Sequence, residues 1–263
     1  VLAVFADEVP EDWQLSVDLS SSETRAYLDG LKKQYSSQPV PVTKMIALEA
    51  GYYSKSAPTS RSDPKASISK NIQVKAFQIG EAEVTVEQWD VCVAMGGCEH
   101  MPYNYDWGRG DLPVVNVSWQ DVQQYLAWLT QQTGQPYRLP TNDEWEYAAR
   151  AGTKTRFSFG DGPASCDSIR YGSPSWVERS KHECQIVGTW PVASKAPNPW
   201  GLYHVVGNVS EWVRYQEPSA LESQCNIISQ QSSHNIRINR GGNWASDGSI
   251  SVTRSRRYDF DHR

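Results

Sequence analysis

The chain has 263 residues, 39% of them hydrophobic, and a net charge of −5 at neutral pH. That length buries a sizeable core as one large or two small domains, and the acidic balance excludes nucleic acid as the main partner, because phosphate binding needs a basic face. No apolar run approaches the roughly 18 residues that a spanning helix needs, so no membrane span is expected.

In chain order, Val1-Leu2-Ala3-Val4-Phe5-Ala6 followed by Asp7-Glu8 reads as the end of a signal-peptide apolar region, with Val4 and Ala6 as the small residues before a cut. Residues 1–6 are thus expected to be a leader remnant and the protein to be secreted. An N-terminal extension over residues 7–42 carries one helix. Tyr27, Leu28, Leu31 and Tyr35 recur at helical spacing within residues 20–36, with Ser20 to Ser22 as caps. Residues 54–70, rich in Ser, Lys and Pro, read as a surface loop.

Three further helices announce themselves by their first turns. Thr85-x-x-Gln88, Ser118-x-x-Asp121 and Thr141-x-x-Glu144 each allow the reciprocal pairing of a capping box. The first helix should stop at Gly96-Gly97. The second carries Trp119, Val122, Leu126 and Leu129 on one face and should end at Gly134; the third carries Trp145, Ala148 and Ala149 and should end at Gly152. Between Pro163 and Trp200 there is little periodicity.

The helix that stops at the glycine pair folds back and brings Cys92 within reach of Cys98, so a disulfide is expected there. Cys166 and Cys184 bracket a loop that a second bridge would staple in an oxidising compartment, which leaves Cys225 as a small buried side chain. No Cys-x-x-Cys pair, His-x-His or i, i+4 histidine pair occurs, so no zinc or other transition-metal centre is indicated. A Ser246, His204, Asp247 triad lacks the Gly-x-Ser-x-Gly elbow that would support it. With 11 Trp and 13 Tyr against 5 Phe, most tryptophans are expected to pin loops.

Five spaced segments resemble the formylglycine-generating enzyme (sulfatase-modifying factor) family. They are Lys75-Ala76-Phe77-Gln78-Ile79 with Glu83-Val84-Thr85; Pro113-Val114-Val115-Asn116-Val117-Ser118-Trp119; Arg138-Leu139-Pro140-Thr141 with Glu144-Trp145-Glu146-Tyr147-Ala148-Ala149-Arg150; Asn198-Pro199-Trp200-Gly201-Leu202-Tyr203 with Gly207-Asn208-Val209-Ser210-Glu211-Trp212; and Arg240-Gly241-Gly242-Asn243-Trp244. The resemblance spans residues 43–263. It implies an α+β fold related to C-type lectin-like domains: a small antiparallel sheet, few helices and many ordered loops.

Catalytic relatives carry two cysteines after the last of these motifs, and here Ser246 and Ser251 stand in their places. A hydroxyl cannot supply the thiolate pair that grips copper(I), so neither copper nor formylglycine chemistry is expected. The relatives' calcium ligands fall on His204, Gly207, Val209 and Glu211. An imidazole at the first position weakens that site, and Gly207, Val209 and Glu211 remain. A second family calcium site, around Ser168, Ile169 and Cys184, is expected to be lost.

The serine substitutions and the leader resemble the periplasmic pyoverdine-maturation branch of the family. That resemblance implies a siderophore peptide precursor as ligand, with periplasmic maturation enzymes as partners. Ser246, Ser251 and Arg254 are the catalytic candidates, and Asn243, Trp244 and Arg240 the substrate-binding ones. A noncatalytic binding or scaffold role is the alternative.

Overall fold

The computed structural model describes residues 3–4, 16–58, 67–162, 165, 169, 171, 188–214, 236–246 and 255–259. Helix α1 (Ser22–Tyr35) starts at Ser21, whose hydroxyl accepts from the Thr24 amide, and buries Leu31. Its tyrosines reach the next helix, α2 (Val86–Ala94): Tyr27 Oη donates to Asp90 Oδ2 at 2.9 Å and Tyr35 Oη to Glu87 Oε1 at 3.1 Å. Asp90 also receives Nε and Nη2 of Arg109. Burial pushes the Asp90 carboxyl up, opposed by Arg109 and Tyr27, and the two-pronged guanidinium contact marks it as an ion pair. The N-terminal helix therefore shares its core with the rest of the fold.

All three capping boxes form, at Thr85 for α2, Ser118 for α3 (Trp119–Thr133) and Thr141 for α4 (Asn142–Arg150). Helix α3 ends on left-handed Gly134 as expected. Helix α4 ends one residue early, because Ala151 itself takes the left-handed conformation. Val122, Leu126 and Leu129 are buried on α3, joined by Tyr125 and Trp128, whereas Trp119 is only half-buried.

Residues 54–70 depart from expectation. Of these, residues 54–58 and 67–70 belong to two paired antiparallel strands, β3 (Gly51–Pro58) and β4 (Ser67–Val74), in register from Gly51↔Val74 to Pro58↔Ser67. Tyr53 and Val74 bury themselves against Tyr147 of α4, and Tyr53 Oη donates to Asp143. Packing of alternate residues on one face overrides a polar composition. Strands β2 (Met45–Leu48) and β5 (Phe77–Gly80) form a second antiparallel pair. The largest sheet orders β1 (Ala3–Val4), β6 (Ser210–Val213), β7 (Ile236–Arg240) and β8 (Ser255–Asp259), all antiparallel.

Strand β6 runs between two apolar clusters. Trp212 belongs to the one built on α2 and α3, Val213 to the one built on α4 and the 202–206 loop. Tryptophans pin loops as expected: Trp89 Nε1 donates to His100 O and Trp212 Nε1 to Val117 O.

Cys92 and Cys98 are bridged, with Cα atoms 5.3 Å apart. Cys166, Cys184 and Cys225 lie outside the described residues. Replacing Cys92 and Cys98 together by serine should lower unfolding stability by about 2 kcal/mol, since so short a loop adds little chain entropy. Denaturant midpoints of the two proteins check this, and a labelled free thiol at Cys92 in the unreduced protein would contradict the bridge.

Candidate functional site

The register Glu211↔Arg240 sets the 204–209 loop, which enters β6, beside the 241–246 segment, which leaves β7. Two backbone bonds tie them: Gly207 N to Gly241 O at 3.1 Å and Trp244 N to Asn208 O at 2.9 Å. His204 and Asn208 take left-handed backbone conformations, uncommon outside glycine. Gly241 has φ 87°, and a Cβ there would stand 3.0 Å from Val205 O and 3.4 Å from the Trp145 ring. Only glycine meets both conditions.

Arg240 is 3% exposed and lies beneath the segment. Its Nη2 donates to Glu146 Oε2 at 2.7 Å, and its guanidinium sits 4.8 Å over the Trp145 ring. Glu146 Oε1 accepts from Arg150 Nε and Nη2 at 3.0 and 2.8 Å. One carboxylate thus joins two buried guanidinium groups.

Asn243 and Ser246 are 2% and 3% exposed and close a turn on each other. Ser246 Oγ accepts from Asn243 N at 2.9 Å and donates to Asn243 Oδ1 at 3.1 Å, while the same Oδ1 accepts from Ala245 N. Trp244, between them, is half-buried and meets Trp107 edge-on at 5.3 Å. Ser251 and Arg254, and Asp247 of the triad, lie outside the described residues. His204 Nε2 contacts Ser194 Oγ at 3.2 Å.

Sequence reasoning missed the wall beside Trp244. Tyr105 packs on Trp107 at 4.9 Å and Tyr103 on Tyr105 at 5.8 Å, all three half-buried. The ring of Trp107 lies where a side chain on Gly188 would be, 2.8 Å from its ideal Cβ. The Tyr103-x-Tyr105-x-Trp107 alternation was the available signal.

Behind the turn two acids are buried. Glu211, 1% exposed, accepts from Trp145 Nε1 through Oε2, and its Oε1 has no hydrogen-bond partner among the described residues. Burial pushes its carboxyl well above the usual range, with Glu83 adding and the Trp145 bond opposing. Glu83 is also raised by burial, opposed by His204 and by Asn208, whose Nδ2 donates to Glu83 Oε1 at 3.0 Å. Asn208 further accepts from Trp190 N and donates to Trp190 O. Its amide is committed inside the protein, so Asn208, although it opens an Asn-x-Ser pattern with Val209 and Ser210, is not available to a glycan.

Among the described residues no three acidic, histidine or cysteine side chains form a metal cage. A cation here would rest on one carboxylate and backbone carbonyls, donors that suit calcium. The unpartnered Glu211 Oε1 fits such an ion. His204 Nδ1, buried without a partner among the described residues, is a nitrogen donor and fits it less well.

A cavity of about 390 Å³ lies elsewhere, between the β2–β5 pair and the 135–140 loop after α3, and shares no lining residue with this turn.

Residues 31–262 match the sulfatase-modifying factor enzyme 1-like domain. The chain is similar to serine/threonine-protein kinase pkn1 of Chlamydia pneumoniae, 27% identical over 84% of this chain and 36% of that protein. It is 33% identical to inactive C-alpha-formylglycine-generating enzyme 2 of Bos taurus, over 53% of this chain and 41% of that one. The chain thus spans about two fifths or less of the length of these relatives. Its fold is similar to that of PvdO from Pseudomonas aeruginosa, with TM-score 0.62, 24% identity, and coverage of 85% of this chain and 94% of that chain.

Proposed function

Because the chain belongs to the sulfatase-modifying factor enzyme 1-like domain family, we propose that it serves oxidative maturation of a siderophore chromophore of the pyoverdine type in the periplasm. It does so without copper-thiolate chemistry. The observation that carries this is the closed Asn243–Ser246 turn, with a hydroxyl where catalytic relatives place a thiol and a half-buried Trp244 beside it.

In this proposal the planar dihydroquinoline ring of the precursor stacks on Trp244, Arg254 hydrogen-bonds its oxygens, and the buried Asn243 holds the turn in shape. Ser251 serves the reacting end, while the buried Ser246 closes the turn on Asn243. Two electrons and two protons leave the ring, and dioxygen takes them up as hydrogen peroxide. Arg240, paired with Glu146 in the core, anchors the residue from which the turn segment starts.

Calcium belongs to the same proposal as a structural ion. Glu211 with the Gly207 and Val209 carbonyls would hold it, and it would supply the positive charge that the buried carboxylate lacks. Calcium in excess should raise the melting temperature and chelation lower it again. No change on either treatment would remove the ion, and Glu211→Gln should abolish the response.

The test of function is incubation of the purified protein with the reduced precursor in air. Absorbance of the oxidised chromophore should grow in proportion to protein, while a Cys-x-Pro-x-Arg peptide yields no aldehyde and no copper(I) is retained. Precursor binding without turnover would favour the second reading, a noncatalytic binding or scaffold role. That reading draws on the buried Ser246 hydroxyl, which is already engaged on both its donor and acceptor sides.

A further inference from the structure

We propose that Tyr103, Tyr105, Trp107 and Trp244 form a conducting row along which an electron hole moves between the Asn243–Ser246 turn and a proton-accepting exit at Tyr103 and Asp106. Successive ring centroids are 5.8, 4.9 and 5.3 Å apart, so every ring touches the next. Tryptophan and tyrosine are the aromatic side chains that lose one electron most readily, and rings in contact exchange electrons far faster than rings separated by solvent.

The two ends differ chemically. Oxidation of a phenol makes it a strong acid, so a tyrosine traps a hole only where a base takes its proton. Tyr103 Oη donates to Asp106 Oδ2 at 2.5 Å, at an exposed position. Tyr105 Oη donates to Asn116 Oδ1 at 3.2 Å, an amide oxygen and a much weaker base. Tyr105 therefore relays and Tyr103 traps.

The step balances. A one-electron oxidant of the radical class takes one electron from Trp244 or Trp107. An electron from Tyr103 refills that vacancy through Tyr105, and the Tyr103 phenolic proton passes to the Asp106 carboxylate, leaving a neutral phenoxyl radical.

The backbone is built around this row. Tyr105 and Asp106 are consecutive left-handed residues, φ 51° and 58°, a conformation that non-glycine residues keep only where the surroundings enforce it. Those two residues set the middle ring and the proton acceptor. Gly188, left-handed at φ 107°, leaves the space that the Trp107 ring occupies.

The test uses the full chain without substrate, so its outcome is separate from that of the chromophore assay. Azide radicals generated by pulse radiolysis oxidise tryptophan first. The tryptophyl absorption should then decay into tyrosyl absorption at a rate independent of protein concentration, and peptide mapping should place the tyrosine products mainly at Tyr103. Trp107→Phe and Tyr103→Phe should each cut the amplitude of that phase severalfold. Tyr52→Phe, at an exposed tyrosine off the row, should leave it unchanged. If Trp107→Phe fails to fold, Tyr105→Phe interrupts the row by removing one hydroxyl and must show the same loss. An unchanged amplitude in the folded row variants, or products spread over the tyrosines according to exposure alone, would overturn the proposal.

Discussion

Glu146→Gln should lower the melting temperature by roughly 10 °C, the expected size when a buried ion pair costing about 3–5 kcal/mol to break is lost from a domain of this length. Glu146 is the carboxylate between Arg150 and Arg240, and both pairs have side chains at most 7% exposed. The amide keeps the shape but carries no charge, so two guanidinium groups remain close together in the interior. Two cation–π contacts, of Arg240 over Trp145 and Arg150 over Tyr53 at 5.8 Å, offset only part of that cost. Arg138→Ala is the matched control. It removes an ion pair to Glu144 whose arginine is 47% exposed, so its effect should stay within about 1 kcal/mol. If thermal scans show the two variants equally stable, the buried network contributes no more than a surface pair.

Trp244→Ala should abolish most chromophore maturation while lowering the melting temperature far less than the loss of a core tryptophan does. Truncating a fully buried tryptophan costs about 3–5 kcal/mol through lost transfer energy and the cavity left behind. Trp244 is half-buried, whereas a core tryptophan is enclosed on every side, so less packing is lost. A backbone bond, Trp244 N to Asn208 O, survives the change and keeps the turn closed. The two measurements separate the roles. Normal product formation by the variant would remove this face from the mechanism, and an early unfolding transition would make Trp244 a structural residue. Trp145→Ala provides the contrast, since that ring is 1% exposed and bonded to Glu211. It should unfold early.

The helix starts were determined by the sequence alone, because a capping box joins residues three apart and needs nothing else to form. Thr85 with Gln88, Ser118 with Asp121 and Thr141 with Glu144 all formed as their spacing required. The Cys92–Cys98 bridge was legible for the same reason, since a helix stop and six residues of separation suffice. The family itself was legible from the order of its motifs, several of which pack as one unit around β6 and α4. Tertiary structure alone decided the rest. The β3–β4 pair arises where the sequence is rich in Ser, Lys and Pro, because Tyr53 and Val74 find Tyr147 to pack against. Arg240 was expected at the ligand and lies in the core, because its partner Glu146 stands 94 residues away on another element. The aromatic row joins residues 103–107 to Trp244, and Gly188 makes room for it. Contacts of that span carry no local periodicity; their free energy comes from burial and charge pairing that exist only once the chain has closed on itself.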